Sequence, residues 1–172
     1  MTDRKPAARR GRLAGLAGLL AGVLLLSPCP ASAAVGCSVD ATPLAFGAFN
    51  TLERDVPHDT NSTVTVNCSS DVGGETATYQ IKLSEGGANS FFPRAMSSGA
   101  AHLLYNIYDQ PSMTGVWGDG MSSTDVVAGS LSLTAPSTTY SQSYPAYGRV
   151  FANQQSLPIG AYQDFVTVTV SY

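Results

Sequence analysis

Imidazole, thiol and carboxylate groups carry most protein chemistry, and here the first two are sparse: His58, His102, Cys29, Cys37 and Cys68. A histidine works as a general base only beside a nucleophile or a substrate proton within its reach. Neither histidine sits in such a motif, for the sequence holds no G-x-S-x-G, H-E-x-x-H or phosphate-binding loop. His58 falls in Asp55-Val56-Pro57-His58-Asp59, which reads as a solvated loop, and His102 stands at the mouth of an apolar run. No catalytic residue is assigned, and the chain reads as something other than an enzyme.

Trp117-Gly118-Asp119-Gly120 contains the single tryptophan. An exposed indole beside glycines makes a stacking platform, so Trp117 is the candidate for a surface- or sugar-binding role. The favoured alternative is a tight turn in which the glycines take positive φ and the ring packs down on the fold. One carboxylate without alternating partners is too few for calcium, and no metal or cofactor is expected. Asn61-Ser62-Thr63 and Asn67-Cys68-Ser69 match the glycosylation sequon, a pattern too short to carry weight.

The role of the thiols depends on the compartment. Arg4, Lys5, Arg9, Arg10 and Arg12 precede an apolar run over 13–26 and then Ser27-Pro28-Cys29-Pro30-Ala31-Ser32-Ala33. These are the charged, apolar and A-x-A parts of a secretory signal peptide. The apolar run is shorter than the roughly 20 residues of a membrane span, and Pro28 fits lipid attachment at Cys29 poorly. Residues 1–33 are therefore expected to be removed, leaving 34–172 as one domain of about 140 residues, enough for a real core. In an oxidising compartment the remaining pair, Cys37 and Cys68, reads as one disulfide. Two thiols alone make no closed metal site.

Cleavage also changes the charge. The whole chain carries −3, but the leader holds five of the nine basic residues and one of the twelve acidic ones. The mature part is left at about −7, with Arg54, Lys82, Arg94 and Arg149 as its cations, which argues against nucleic acid or anionic lipid as a partner.

The elements that position these groups read as strands, because Gly, Ser, Thr and Pro interrupt every stretch long enough for a helix. Residues 62–68 alternate strictly, with Val64, Val66 and Cys68 on one face. Residues 77–83 do the same with Tyr79, Ile81 and Leu83, and Glu85-Gly86-Gly87 closes that strand as a turn. Residues 103–108 are apolar on both faces, as for a strand covered on both sides. In the strand candidate 141–151, Pro145 suggests an edge or a bulge. Finally, 165–172 places Val166, Val168, Val170 and Tyr172 inward. Short strands, turn residues and one disulfide point to an all-β Greek-key sandwich.

Several runs, taken in order, resemble one family: Cys37-Ser38-Val39, Leu44-Ala45-Phe46-Gly47, Val64-Thr65-Val66-Asn67-Cys68, Leu103-Leu104-Tyr105-Asn106-Ile107-Tyr108, Trp117-Gly118-Asp119-Gly120, Tyr147-Gly148-Arg149, and 158–172 from Pro158-Ile159-Gly160-Ala161-Tyr162-Gln163-Asp164 through Val166 to Tyr172. The chain resembles the spore coat protein U domain family, which includes subunits of archaic chaperone-usher pili. The resemblance implies an immunoglobulin-like sandwich that lacks its final strand and is held by Cys37 and Cys68. It implies a periplasmic chaperone, an outer-membrane usher and other pilin or coat subunits as partners, with export through the periplasm to a surface pilus or coat. The groove for the borrowed strand is then expected along Val166, Val168, Val170 and Tyr172.

One departure from the family pattern stands out. Only Ala34, Val35 and Gly36 separate the expected cleavage site from Cys37, and three residues reach at most about 10 Å. The expectation is a subunit that accepts a strand and donates none, at a fibre tip or cap or in a coat. A small carbohydrate- or surface-binding adhesin module is the alternative reading.

Overall fold

The computed structural model describes residues 34–48, 55–154 and 157–172; the expected signal segment 1–33 and Arg54 lie outside the described residues. Eight strands follow in order: β1 (Val35–Ala41), β2 (His58–Ser70), β3 (Glu75–Leu83), β4 (Arg94–Ser98), β5 (Ala101–Tyr108), β6 (Val127–Leu133), β7 (Tyr140–Val150) and β8 (Val168–Ser171). No helix occurs among the described residues. The strands form a five-stranded sheet, β1-β2-β7-β5-β4, and a three-stranded sheet, β6-β3-β8.

The alternating runs become the two inner faces. Val64, Val66 and Cys68 of β2 are buried against Tyr79, Ile81 and Leu83 of β3, with Tyr105, Ile107, Leu133 and Val150 completing one core between the sheets. Removing such side chains from water stabilises each by about 1.5–3 kcal/mol, and this burial drives the sheets together. The second half of β5 is covered on both sides, as its sequence implies. Its outer Tyr108 joins Phe91 and Val116 in a smaller cluster on the far face.

Cys37 and Cys68 face each other across the β1–β2 ladder and are joined, with Cα atoms 4.1 Å apart. The bond ties the edge strand to its neighbour within one sheet.

Two local expectations are corrected. Pro145 lies in a central strand, since β7 runs between β2 and β5. The β5 pairing covers only Tyr147 to Val150 of β7, so Pro145 stands beyond it, opposite Thr63, where a missing N–H interrupts no ladder on that side. The last strand is also shorter than 165–172. It is regular only over Val168–Ser171, pairing Val168 with Leu83 and Val170 with Ile81.

Candidate functional site

Among the described residues β1 pairs only with β2, and β8 pairs only with β3. Each therefore has one side without a strand partner, and a cavity of about 690 Å³ opens beside them. Its floor is the inner face of both sheets, including Val64, Leu83, Met96, Ile107 and Ala146.

One wall continues from β1. The Thr42 N–H still reaches the Thr63 carbonyl at 2.9 Å. Beyond it the chain is held to β2 by side chains: the Thr60 hydroxyl donates to the Ala45 carbonyl at 2.9 Å, and the His58 ring meets the Phe46 carbonyl at 2.6 Å. His58 is thus the first residue of β2 and part of this wall, not a loop residue. Leu44 and Phe46 turn inward, and Phe46 meets Tyr105 edge to face with centroids 5.9 Å apart. Gly148 of β7 makes room for both, since a Cβ there would lie 2.5 Å from Leu44 Cδ2 and 2.9 Å from Phe46 Cζ.

The other wall is 162–168, fastened at three points. Gln163 exchanges backbone hydrogen bonds with Ser97 of β4 at 2.8 and 3.1 Å. Asp164 Oδ2 accepts the Tyr105 hydroxyl at 2.7 Å, and its Oδ1 accepts the Gly87 N–H at 2.7 Å. The Thr167 carbonyl accepts the Ser84 N–H at 3.0 Å. Burial, with the bond to Asp164 second, pushes the Tyr105 phenol well above its ordinary range.

Arg94 supports this region from behind. Although it is a cation by sequence, it is fully buried. Its guanidinium donates to the Ser84 and Trp117 carbonyls and to Asn106 Oδ1 at 2.8–3.1 Å, and lies over the Phe91 ring. Burial lowers its pKa, and the fork of donors satisfies the Ser84 and Trp117 carbonyls together.

The residues singled out in the sequence are distributed as follows. Val166 and Val168 border the cavity. Val170 packs against the core away from it, and Tyr172 stands outside it, 62% exposed. Trp117 cannot serve as a surface platform: its ring is completely buried and Nε1–H donates to the Ile81 carbonyl at 3.0 Å. The glycines nearby make the turn, Gly120 at φ +86° and Gly118 pressed against Thr124. Asp119 is used locally, accepting the Met121 N–H. His102 is exposed on β5, beside Ser97. Among the described residues no group of three or more His, Cys, Asp or Glu side chains is placed to hold a metal. Sequence reasoning missed Leu44, Phe46, Tyr105, Asp164 and Arg94 as parts of one site; the usable signal was the inward alternation of Leu44 and Phe46.

The arrangement defines a class: a disulfide-linked β-sandwich whose apolar interior opens between two strand edges. A family model described as the Spore Coat Protein U domain matches residues 23–169, and the chain belongs to that family. Among solved structures it is similar to a chain from the CsuC-CsuE chaperone–tip adhesion subunit pre-assembly complex of archaic chaperone-usher Csu pili of Acinetobacter baumannii. The likeness has a TM-score of 0.50 at 23% identity and covers 81% of this chain. This chain spans 40% of the length of that one, and at such identity the likeness concerns the fold alone. No curated protein matches.

Proposed function

We propose that the protein is a structural subunit of a chaperone-usher surface pilus or coat, a Greek-key sandwich one strand short that another chain completes. The observation that carries this reading is the apolar cavity beside two strand edges, β1 and β8, each paired on one side only among the described residues. Unpaired backbone groups next to apolar side chains form a template for a strand, which supplies hydrogen bonds and cover at once. Family membership supports the reading, as does the fold shared with a chain solved in a chaperone-bound pre-assembly complex.

The wall from 162 to 168 is about 20 Å long at roughly 3.3 Å per residue, so it matches a strand of about seven residues with three or four side chains facing inward. Their burial is worth on the order of 5–12 kcal/mol before ordering costs. Such a complex releases its strand slowly.

On this reading a periplasmic chaperone fills the groove first, an usher follows, and other subunits lie beyond. The protein passes through the periplasm to the cell surface, where its work is structural and adhesive rather than catalytic. Within a fibre it takes a tip or cap position, because cleavage after Ala33 leaves three residues before Cys37. N-terminal sequencing of the secreted protein tests that position, and a start ten or more residues upstream removes it.

The main test is export of the full chain with and without its cognate chaperone. With the chaperone, a soluble one-to-one complex is expected; without it, aggregation or proteolysis. A stable, soluble monomer formed by the exported chain alone would overturn the reading.

A further inference from the structure

The inner face of β2 changes character at one position. Val64, Val66 and Cys68 are buried between the sheets, whereas Ser62, next in the same alternation, is half-buried and lines the cavity. Opposite it in the register of β7 stands Ala146, also on the cavity floor. The neighbouring pairs differ. Val64 faces Tyr144, and at Gly148, which faces Thr60, the space a side chain would take holds Leu44 and Phe46 of the wall. Elsewhere the floor carries larger side chains, among them Leu83, Met96 and Ile107.

A strand lying along 162–168 sends alternate side chains inward about 7 Å apart. Over Leu83, Met96 or Ile107 such a side chain meets a floor already filled. Over Ser62 and Ala146 it meets the two smallest side chains of that floor. Interiors pack to a nearly constant density, so the volumes contributed from the two sides of the groove must complement each other. The low point of the floor therefore calls for the longest inward side chain of the strand, and its apolar neighbours call for an apolar one.

We infer that the Ser62–Ala146 pair is the size-selective pit of the groove: it receives the largest apolar inward side chain of the donated strand and thereby fixes the register in which that strand lies. This rests on the strand-acceptor reading above and names what the acceptor selects.

The test uses the subunit exported with its cognate chaperone and synthetic peptides copying the chaperone's donated strand, one intact and the others with one inward residue each cut to alanine. Peptide affinity is read from displacement of the chaperone, and within each protein the truncated peptides are ranked against the intact one. In wild type one truncation is expected to cost about tenfold or more and the rest clearly less. Ser62→Leu fills the pit, so for it that same truncated peptide should bind at least as well as the intact copy. Ser62→Ala keeps the space and should rank the peptides as wild type does. Ala146→Val, on the facing strand, should shift the same position in the same direction as Ser62→Leu. Comparable losses at every position in wild type overturn the inference, as does a wild-type ranking in Ser62→Leu or a shift at a different position in Ala146→Val. A changed ranking in Ser62→Ala also overturns it, by making the hydroxyl and not the space the determinant. If neither filled variant is recovered in soluble form, the wild-type ranking alone decides. If wild type binds no peptide at all, the strand-acceptor reading itself falls.

Discussion

The Tyr105 hydroxyl donates to Asp164 Oδ2 across 2.7 Å, joining β5 of the five-stranded sheet to the run that leads into β8 of the other. The same carboxylate holds the turn after β3 through the Gly87 N–H. One acidic side chain thus fixes the wall of the groove to both sheets, so the opening is framed by hydrogen bonds and not left to loop packing.

This pair predicts sensitivity to alkali. Burial first, and then the bond to Asp164, raises the Tyr105 pKa in the fold, while an unfolded tyrosine ionises near pH 10. Above about pH 10 the folded state therefore binds more protons than the unfolded state, and stability falls as pH rises. The contribution is complete below that pH and is lost above it. Tyr79, raised by burial and by its hydrogen bond with Tyr144, acts in the same direction. The urea midpoint of the chaperone-bound protein, at fixed chaperone concentration, is expected to decline beyond about pH 10, and Tyr105→Phe to make the decline shallower.

The buried indole makes a second prediction. Trp117 is the single tryptophan, so emission reports on it alone. A blue-shifted spectrum that iodide does not quench is expected, and a red-shifted, quenchable one would return the ring to the surface. Trp117→Phe removes the indole N–H from the Ile81 carbonyl and leaves a void beside it, at a cost of about 2 kcal/mol or more of stability, read from urea unfolding.

Strict alternation made the middle of the fold legible: 62–68 and 77–83 lie within β2 and β3 with their apolar faces inward. The unread elements lack that signal for physical reasons. β4 is Arg94-Ala95-Met96-Ser97-Ser98, and its most buried side chain is a charged one whose partners come from 84, 106 and 117. β6 has Gly129 at an inward position because Tyr79 and Tyr144 occupy the space a side chain would take. The groove is harder still to read, since Leu44, Tyr105 and Asp164 come to line one cavity only after both sheets have formed.

Arg94 predicts a large penalty for a change that looks tolerable by sequence. Arg94→Met keeps an apolar stem but leaves the Ser84 and Trp117 carbonyls without the guanidinium and takes from Asn106 Oδ1 one of its two donors, the Ile107 N–H remaining. The expected loss is on the order of 3 kcal/mol, read as a lower urea midpoint and lower periplasmic yield. Arg94→Lys fails in part as well, because one ammonium cannot reproduce the planar fork that reaches all three acceptors. A wild-type midpoint in the Met variant would mean that the network is dispensable.

The disulfide closes a separation of 31 residues between Cys37 and Cys68. Chain entropy for a loop of that size gives roughly 3–4 kcal/mol, a large part of a domain's usual 5–15. The double substitution Cys37→Ala with Cys68→Ala is expected to lower stability by that amount, and adding reductant to wild type should match it. Because β1 is an edge strand, its ladder to β2 should lose amide-exchange protection before the core does.

Two glycines separate close approach from backbone freedom. At Gly148 an added Cβ meets Leu44 and Phe46, both held inward from the groove wall, so Gly148→Ala must push them toward the cavity. Overpacking of this kind costs about 1–3 kcal/mol. At Gly36 of β1 the same methyl meets nothing within 4 Å, and Gly36→Ala is expected to be neutral or slightly stabilising through the unfolded chain. Strand capture should follow the same split, because displaced Leu44 and Phe46 side chains narrow the space a donor needs. Gly148→Ala is therefore expected to slow association with the chaperone while Gly36→Ala leaves it unchanged, and equal association rates would show that Leu44 and Phe46 can yield without closing the groove.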